Sequence, residues 1–319
     1  MTRYADVGVD LDEVAKLHGI IRNLISPEKT ITVLGPGHYA GVIRLDDIYL
    51  GLHTDGVGTK VQLGLSYGIT EPLGIDCVAM NVNDLISLGL KPLALVDYIA
   101  MESPMEEPLD GIIRGLKAGA AESDVDIVGG ETAIMPGVIK GMDLSCSALG
   151  ASKVLKTGRD VRPGDIIIGL ESNGIHSNGF TLVRKLLESG ALKEDPKVLL
   201  KPTSIYVKPV SEVLSLIKAA AHITGGSFSK LRRITTYKIE MAIENTQDIF
   251  LRLEEAGVPH DEMYRVFNMG IGMILFLSKE NAEEVLSITG KYVRSNILGQ
   301  VNQGTGIVVR THKNVILDL

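Results

Sequence analysis

An acid, two glycines, a hydroxyl and a lysine follow closely in His53-Thr54-Asp55-Gly56-Val57-Gly58-Thr59-Lys60. Asp55 offers oxygen to a hard cation such as magnesium. Gly56 and Gly58 allow close backbone approach, and Lys60 can set a point charge against phosphate. A polar hairpin turn would use the same residues, so this stretch alone leaves both readings open. Asp97 ends the apolar run from Pro92, and Asp126-Ile127-Val128-Gly129-Gly130-Glu131-Thr132 repeats the order of apolar run, glycines, acid and hydroxyl. Carboxylates closing apolar runs beside glycine-rich turns suit magnesium bridging phosphates. The expected class is a nucleotide-using enzyme.

Short apolar runs at 31–34, 41–45 and 48–52, split by Gly, Pro or Asp-Asp, read as strands. Helical spacing runs from Asp10 to Ile25, stopping before Pro27, and again between Gly74 and Gly89. On the second helix Ile75, Val78, Ala79, Val82 and Ile86 form one stripe, and Asp76, Met80, Asn83, Asp84 and Ser87 lie together on a different face. Asp84 falls near the helix C-terminus, where the dipole disfavours an anion, so a compensating cation is expected. A helix over 109–121 and strands over 92–98 and 142–151 complete the first half.

The polar link Lys156 to Asp165 marks a boundary, with domains at 1–155 and 156–319. Beyond it the reading is a strand at 166–170, the loop 171–179 and a helix carrying Leu182, Val183, Leu186 and Leu187. Helices at 210–221 and 248–256, a buried strand at 270–277, a helix after Ser278 and strands at 297–301 and 306–310 follow. The fold class is mixed α and β.

At 319 residues two domains are the prior. A net charge of −7 without a dense basic run, 4% aromatics and no Trp argue against nucleic acid as partner. No apolar run approaches the ~20 residues that span a bilayer, and the first residues lack a signal pattern. A cytoplasmic location is expected. Cys77 and Cys146, each among apolar neighbours, are expected as buried thiols. Gly35-Pro36-Gly37-His38-Tyr39-Ala40, with Asp55 twenty positions after Gly35, mimics a dinucleotide fingerprint. Its glycines should then open a helix, whereas 41–45 reads as extended. A Walker A loop fails because Lys60 follows Thr59.

Several ordered motifs over about 270 residues resemble the phosphoribosylformylglycinamidine cyclo-ligase family. In the first half they are Tyr4 to Asp10, Asp55 to Lys60, Gly74 to Asp84 and Val128 to Gly137. Gly174-Ile175-His176-Ser177-Asn178-Gly179, His222 to Gly226 and Phe267 to Met273 continue the match. The resemblance implies a two-domain PurM-like fold, a homodimer pairing N-terminal sheets, and ATP-driven closure of the imidazole ring in purine biosynthesis. It also implies ATP and Mg2+ as cofactors, with no nucleic-acid or membrane partner.

Carried over by position, Asp55, Asp84 and Glu131 are expected at magnesium and the nucleotide phosphates, with Asp76 and Asp97 as second choices. Gly56, Gly58, Thr59, Lys60, Asn83, Gly129, Gly130 and Thr132 are expected around the nucleotide. Ser177, Asn178, Thr224, Gly225 and Gly226 are expected at the substrate, and His176 at the chemistry. The role of His222 stays open; His18, His38, His53, His260 and His312 read as surface or core residues. Leu34 to Tyr39 and Thr224 to Leu231 depart from the common bacterial pattern, which points to an archaeal-type branch. The alternatives are another ATP-using relative, of thiamine monophosphate kinase or selenophosphate synthetase type, or a non-catalytic nucleotide-binding subunit. No reactive cysteine precedes Cys77 and the chain ends Leu317-Asp318-Leu319, against the selenophosphate and hydrogenase-maturation relatives.

Overall fold

A computed structural model describes residues 2–25 and 30–319. The opening helix α1 (Leu11–Leu24) is capped by Asp10, whose side chain accepts from Asp12 and Glu13 N–H. Pro27, the expected stop, lies outside the described residues. The first half builds a six-stranded sheet in the order β1-β2-β3-β6-β4-β5. Its strands are β1 (Thr32–Leu34), β2 (Gly41–Leu45), β3 (Ile48–Gly56), β4 (Lys91–Met101), β5 (Asp126–Ile134) and β6 (Met142–Ser152). The run after Gly37 is indeed a strand, so the dinucleotide decoy falls. A helix missed in the sequence, α2 (Lys60–Tyr67), follows the Asp55 turn.

On one face of this sheet lie α3 (Glu71–Ser87) and α4 (Glu106–Ser123). They approach through glycine: a Cβ on Gly115 would meet the Glu71 carbonyl oxygen at 1.9 Å, and one on Gly74 the Ile112 oxygen at 2.1 Å. Helix α3 is buried almost throughout, from Leu73 to Ser87 apart from Ile75. Its polar face, which an isolated helix would give to water, is covered by the second half.

That half carries a seven-stranded sheet ordered β13-β12-β9-β11-β7-β10-β8. After β7 (Ile166–Glu171) come α5 (Phe180–Glu188), α6 (Pro196–Leu199), α7 (Val207–Val213), β8 (Ile217–His222) and β9 (Lys238–Ala242). The chain continues through α8 (Asp248–Glu255), α9 (His260–Val266), β10 (Ile271–Leu277), α10 (Ala282–Thr289), β11 (Ser295–Asn302), β12 (Ile307–Arg310) and β13 (Ile316–Asp318). The helix expected over 210–221 is corrected here. It ends at Val213, and Ile217–His222 is a strand pairing with β10. Ala219, Ala220 and Ala221 are fully buried there, so tertiary pairing overrides alanine's helix preference.

One more expectation changes. Cys77 of α3 and Cys146 of β6 are joined as a disulfide with Cα atoms 5.7 Å apart, although 69 positions separate them, so they are not free thiols. The first residues, grouped by sequence with the first domain, dock on the second. Thr2 N–H donates to Gly257 O at 3.0 Å, Tyr4 N–H to Glu262 at 2.9 Å, and Arg3 pairs with Asp261 and Glu262.

Candidate active site

Strand β3 turns its odd residues inward, so His53 and Asp55 both face α3. Asp84, one turn from the end of α3, meets them. Its Oδ2 lies 3.2 Å from His53 Nε2 and its Oδ1 2.7 Å from His222 Nδ1, at the end of β8. Neighbouring hydrogen bonds set the protons. Asn81 Nδ2 donates to the carbonyls of Cys77 (2.9 Å) and Asp55 (3.3 Å), which fixes its Oδ1 towards His53 Nδ1 at 3.0 Å. Both nitrogens of His53 therefore face oxygen acceptors, the arrangement of an imidazolium. Burial opposes that charge, but the bond and field of Asp84 override it and raise the His53 pKa. Burial also pushes the Asp84 carboxyl up, and the two imidazoles more than reverse this, holding it far below the ordinary carboxylate range. Asn83 is pinned by Ser204 O and Tyr206 N–H, both at 2.8 Å, with its Nδ2 3.4 Å from His222 Nε2.

The compensating cation expected at Asp84 is thus supplied by side chains. Lys230 adds to it: its Nζ bonds to Thr224 Oγ1, and the charges of Asp84 and Asp55 oppose the lowering of its pKa by burial. Asp55 takes the Gly56 N–H on one oxygen at 2.8 Å, leaving the second for a ligand. Burial and then Asp84 raise its pKa, with His53 and Lys230 opposing.

The other expected residues fall in several places. Lys60 is fully buried, with Nζ 2.7 Å from Asp76 Oδ2 and 2.7 Å from Lys201 O, so it ties the two halves together. Asp76 spends its other oxygen on Thr203 N–H and Oγ1, each 2.7 Å away. A buried ion pair thus sits between the two halves. Asp97 pairs with Cys146, which pairs with Asp55, placing both acids on one face of the sheet about 10 Å apart. A Cβ on Gly130 would collide with the Asp97 carboxylate at 2.5 Å. Glu131 pairs with Tyr98 on the outward face, so a single chain does not bring it to Asp55 and Asp84. Gly129 shares that outward row with Val96, and Thr132 the inward row with Ile99. Gly58, at φ +71°, and Thr59 lie exposed beyond the turn, with Thr59 Oγ1 3.1 Å from Thr181 Oγ1.

From the second half, His176 is buried and uncharged: burial, then His222 and Lys60, lower its pKa well below the usual value. Ser177 Oγ lies 3.1 Å from Thr203 Oγ1, and Asn178 Oδ1 is 3.3 Å from where a Cβ on Gly225 would stand. Gly225, Gly226, Lys230 and Arg233 line a cavity of about 590 Å³ beneath α1. Arg233 also stacks over the Tyr39 ring at 5.6 Å.

Among the described residues six buried side-chain polar atoms lack a hydrogen bond, and four belong to this region: His38 Nε2, Tyr39 Oη, His176 Nδ1 and Asn178 Nδ2. Buried polar groups are ordinarily satisfied, so these four leave hydrogen-bonding capacity open to a polar ligand. His53, Lys230, Asn81 and Tyr39 were missed by sequence reasoning. His53 was discoverable, being two positions from Asp55 on one strand face; Lys230 is brought in only by tertiary folding.

Residues 37–152 match the model of the AIR synthase related protein family, N-terminal domain, and 162–312 match its C-terminal domain. The phosphoribosylformylglycinamidine cyclo-ligase of Saccharolobus solfataricus is 54% identical over 318 residues, 99% of this chain and 98% of that protein. The chain belongs to the phosphoribosylformylglycinamidine cyclo-ligase family. The cyclo-ligase of Pyrococcus furiosus is 43% identical over 98% of each chain. In fold, this cyclo-ligase family chain is similar to the HypE–HypF complex structure (TM-score 0.73, 19% identity, 96% of this chain and 99% of that one). It is also similar to AaThiL complexed with AMPPCP and TMP (TM-score 0.70, 19% identity, 96% of each).

Proposed function

We propose that the chain closes the imidazole ring of formylglycinamidine ribonucleotide, using ATP and releasing 5-aminoimidazole ribonucleotide, ADP and phosphate. The carrying observation is the group of four unsatisfied buried polar atoms around Asp55, Asp84, His53, His222 and Lys230. An amide oxygen is a poor leaving group, so it first attacks the γ-phosphorus and ADP departs, giving an iminophosphate. The amidine nitrogen then attacks the same carbon, the C–O bond breaks, and phosphate and a proton leave. His53 as imidazolium and Lys230 offset charge on the transferring phosphoryl group, and Asp84 holds the two imidazoles in position. His176, uncharged and taking the Ser204 N–H on Nε2, carries its ring proton on Nδ1, which is free to donate a hydrogen bond to the substrate.

Magnesium fits Asp55, whose second oxygen is open, with Asp97 on the same sheet face as a further carboxylate; it would neutralise the phosphates between them. Asp84 has both oxygens engaged by imidazole and serves the site as an anchor. Gly56, Gly58, Thr59, Asn83, Gly129, Gly130 and Thr132 surround the nucleotide in this reading, and Ser177, Asn178, Thr224, Gly225 and Gly226 the substrate.

The two units divide at 155/156, and the enzyme works as a homodimer. Ile48, Leu52, Val96 and Tyr98 are exposed on the outward face of the first sheet, an apolar surface suited to a second copy. Glu131 stands on that face and would act at the interface. The cell compartment expected is the cytoplasm; among the described residues no helix is long and apolar enough to cross a membrane. Incubation with formylglycinamidine ribonucleotide, ATP and magnesium should give ADP and aminoimidazole ribonucleotide in equal amounts. Failure to form either product would overturn the assignment.

A further inference from the structure

Among the described residues the other two unsatisfied buried atoms are Asp76 Oδ2, which faces Lys60, and His312 Nε2, which the reaction does not use. His312 follows β12, with its side chain nine-tenths buried. Its Nε2 makes no hydrogen bond and points at Glu254 Oε2, 3.4 Å away. Glu254, near the end of α8, puts its other oxygen 2.6 Å from Nδ1 of His260, which opens α9. The three ligand atoms all lie within 4.8 Å of one another.

We propose that Glu254, His260 and His312 form a binding site for a zinc-class transition metal, separate from the ATP-using site. Two imidazoles and one carboxylate suit zinc and its neighbours; magnesium prefers oxygen alone. The outer contacts match those of metal-bound histidines, whose second nitrogen is usually held by an oxygen. His312 Nδ1 lies 2.9 Å from Tyr264 Oη, and His260 Nε2 lies 2.9 Å from Thr311 Oγ1. Lys313 Nζ, 2.7 Å from Glu254 Oε1 on a half-exposed side chain, fills the cation's place and must swing out when metal enters. Water would complete the tetrahedron. The site would join the α8–α9 connection to the β12–β13 turn, beside Gly257, Asp261 and Glu262, where residues 2–4 dock. Its role is to brace that seat.

Chelator-stripped protein titrated with zinc against a chromophoric chelator should bind one more equivalent than His260→Ala/His312→Ala. Cobalt should give tetrahedral visible bands that the double variant lacks. Zinc should raise the melting temperature of the natural chain and not of the variant. Tyr264→Phe should weaken binding about 10–100-fold, and Lys313→Ala, a surface change, should tighten it. Equal stoichiometry and identical cobalt spectra in natural and double-variant protein would overturn the site, as would an unchanged affinity in Lys313→Ala.

Discussion

Asp84 is the residue on which the candidate site turns. Its position near a helix C-terminus was legible in the sequence, and so was its need for positive charge. What supplies that charge was not, because His222 arrives from a different domain and His53 was read as background. Asp84→Asn keeps the shape but removes the charge that orders both rings. Turnover should fall by a hundredfold or more, about 3 kcal/mol of barrier, while the melting temperature moves by only a few degrees; parallel loss of both would make the residue structural.

The pair also sets a pH signature. His53 has a raised pKa in the fold, so its contribution is complete below the unfolded value of about 6.5 and is lost as pH rises through the folded one. Asp84 is depressed, so its contribution is complete above about 4 and lost as pH falls. The stability gap between the natural chain and His53→Asn should therefore be widest from about pH 5 to 6.5 and narrow as pH rises. A gap that widens with alkalinity would contradict the imidazolium assignment.

At the scale of elements, alternation and glycine breaks placed most strands and the long helices. The reading failed where neighbours decide. Lys60 was legible as a cation beside the turn, but not its placement in the interior against Asp76, which α2 and α3 bring about. The alanines of β8 resembled a helix because alanine favours one in isolation, whereas pairing with β10 holds them extended. Cys77 and Cys146 lie far apart in the chain, and only the packing of α3 on β6 makes them partners. Closing a loop of 69 positions is worth about 4 kcal/mol in the chain-entropy account. A reductant able to reach the bond, or Cys146→Ala, should lower the melting temperature by roughly ten degrees or less for a chain of this size. Complete alkylation of both thiols in native, unreduced protein would refute the bond.

At the scale of the whole molecule, two α/β units and a nucleotide chemistry were readable from repeated strand, glycine and acid patterns. The reach of residues 2–9 across to the second unit was not, since no local pattern encodes a docking partner. The outward sheet face yields a clear expectation. Light scattering should give twice the chain mass, and Leu52→Glu, which puts a charge on an exposed apolar position, should give single chains. A natural chain that is already single would dismiss the paired-sheet arrangement and leave Glu131 without a role.

Helix α3 has water on almost none of its surface: one side serves the first sheet, another α4, and the polar side receives Thr203, Ser204, Tyr206 and His222. It packs against both units at once. Neither unit can then melt ahead of the other without stranding Asp76, Asn83 and Asp84, so heat should take the chain apart in one cooperative step. For the same reason the first unit, expressed alone, would carry the acids of an ATP site but not the fold that charges them.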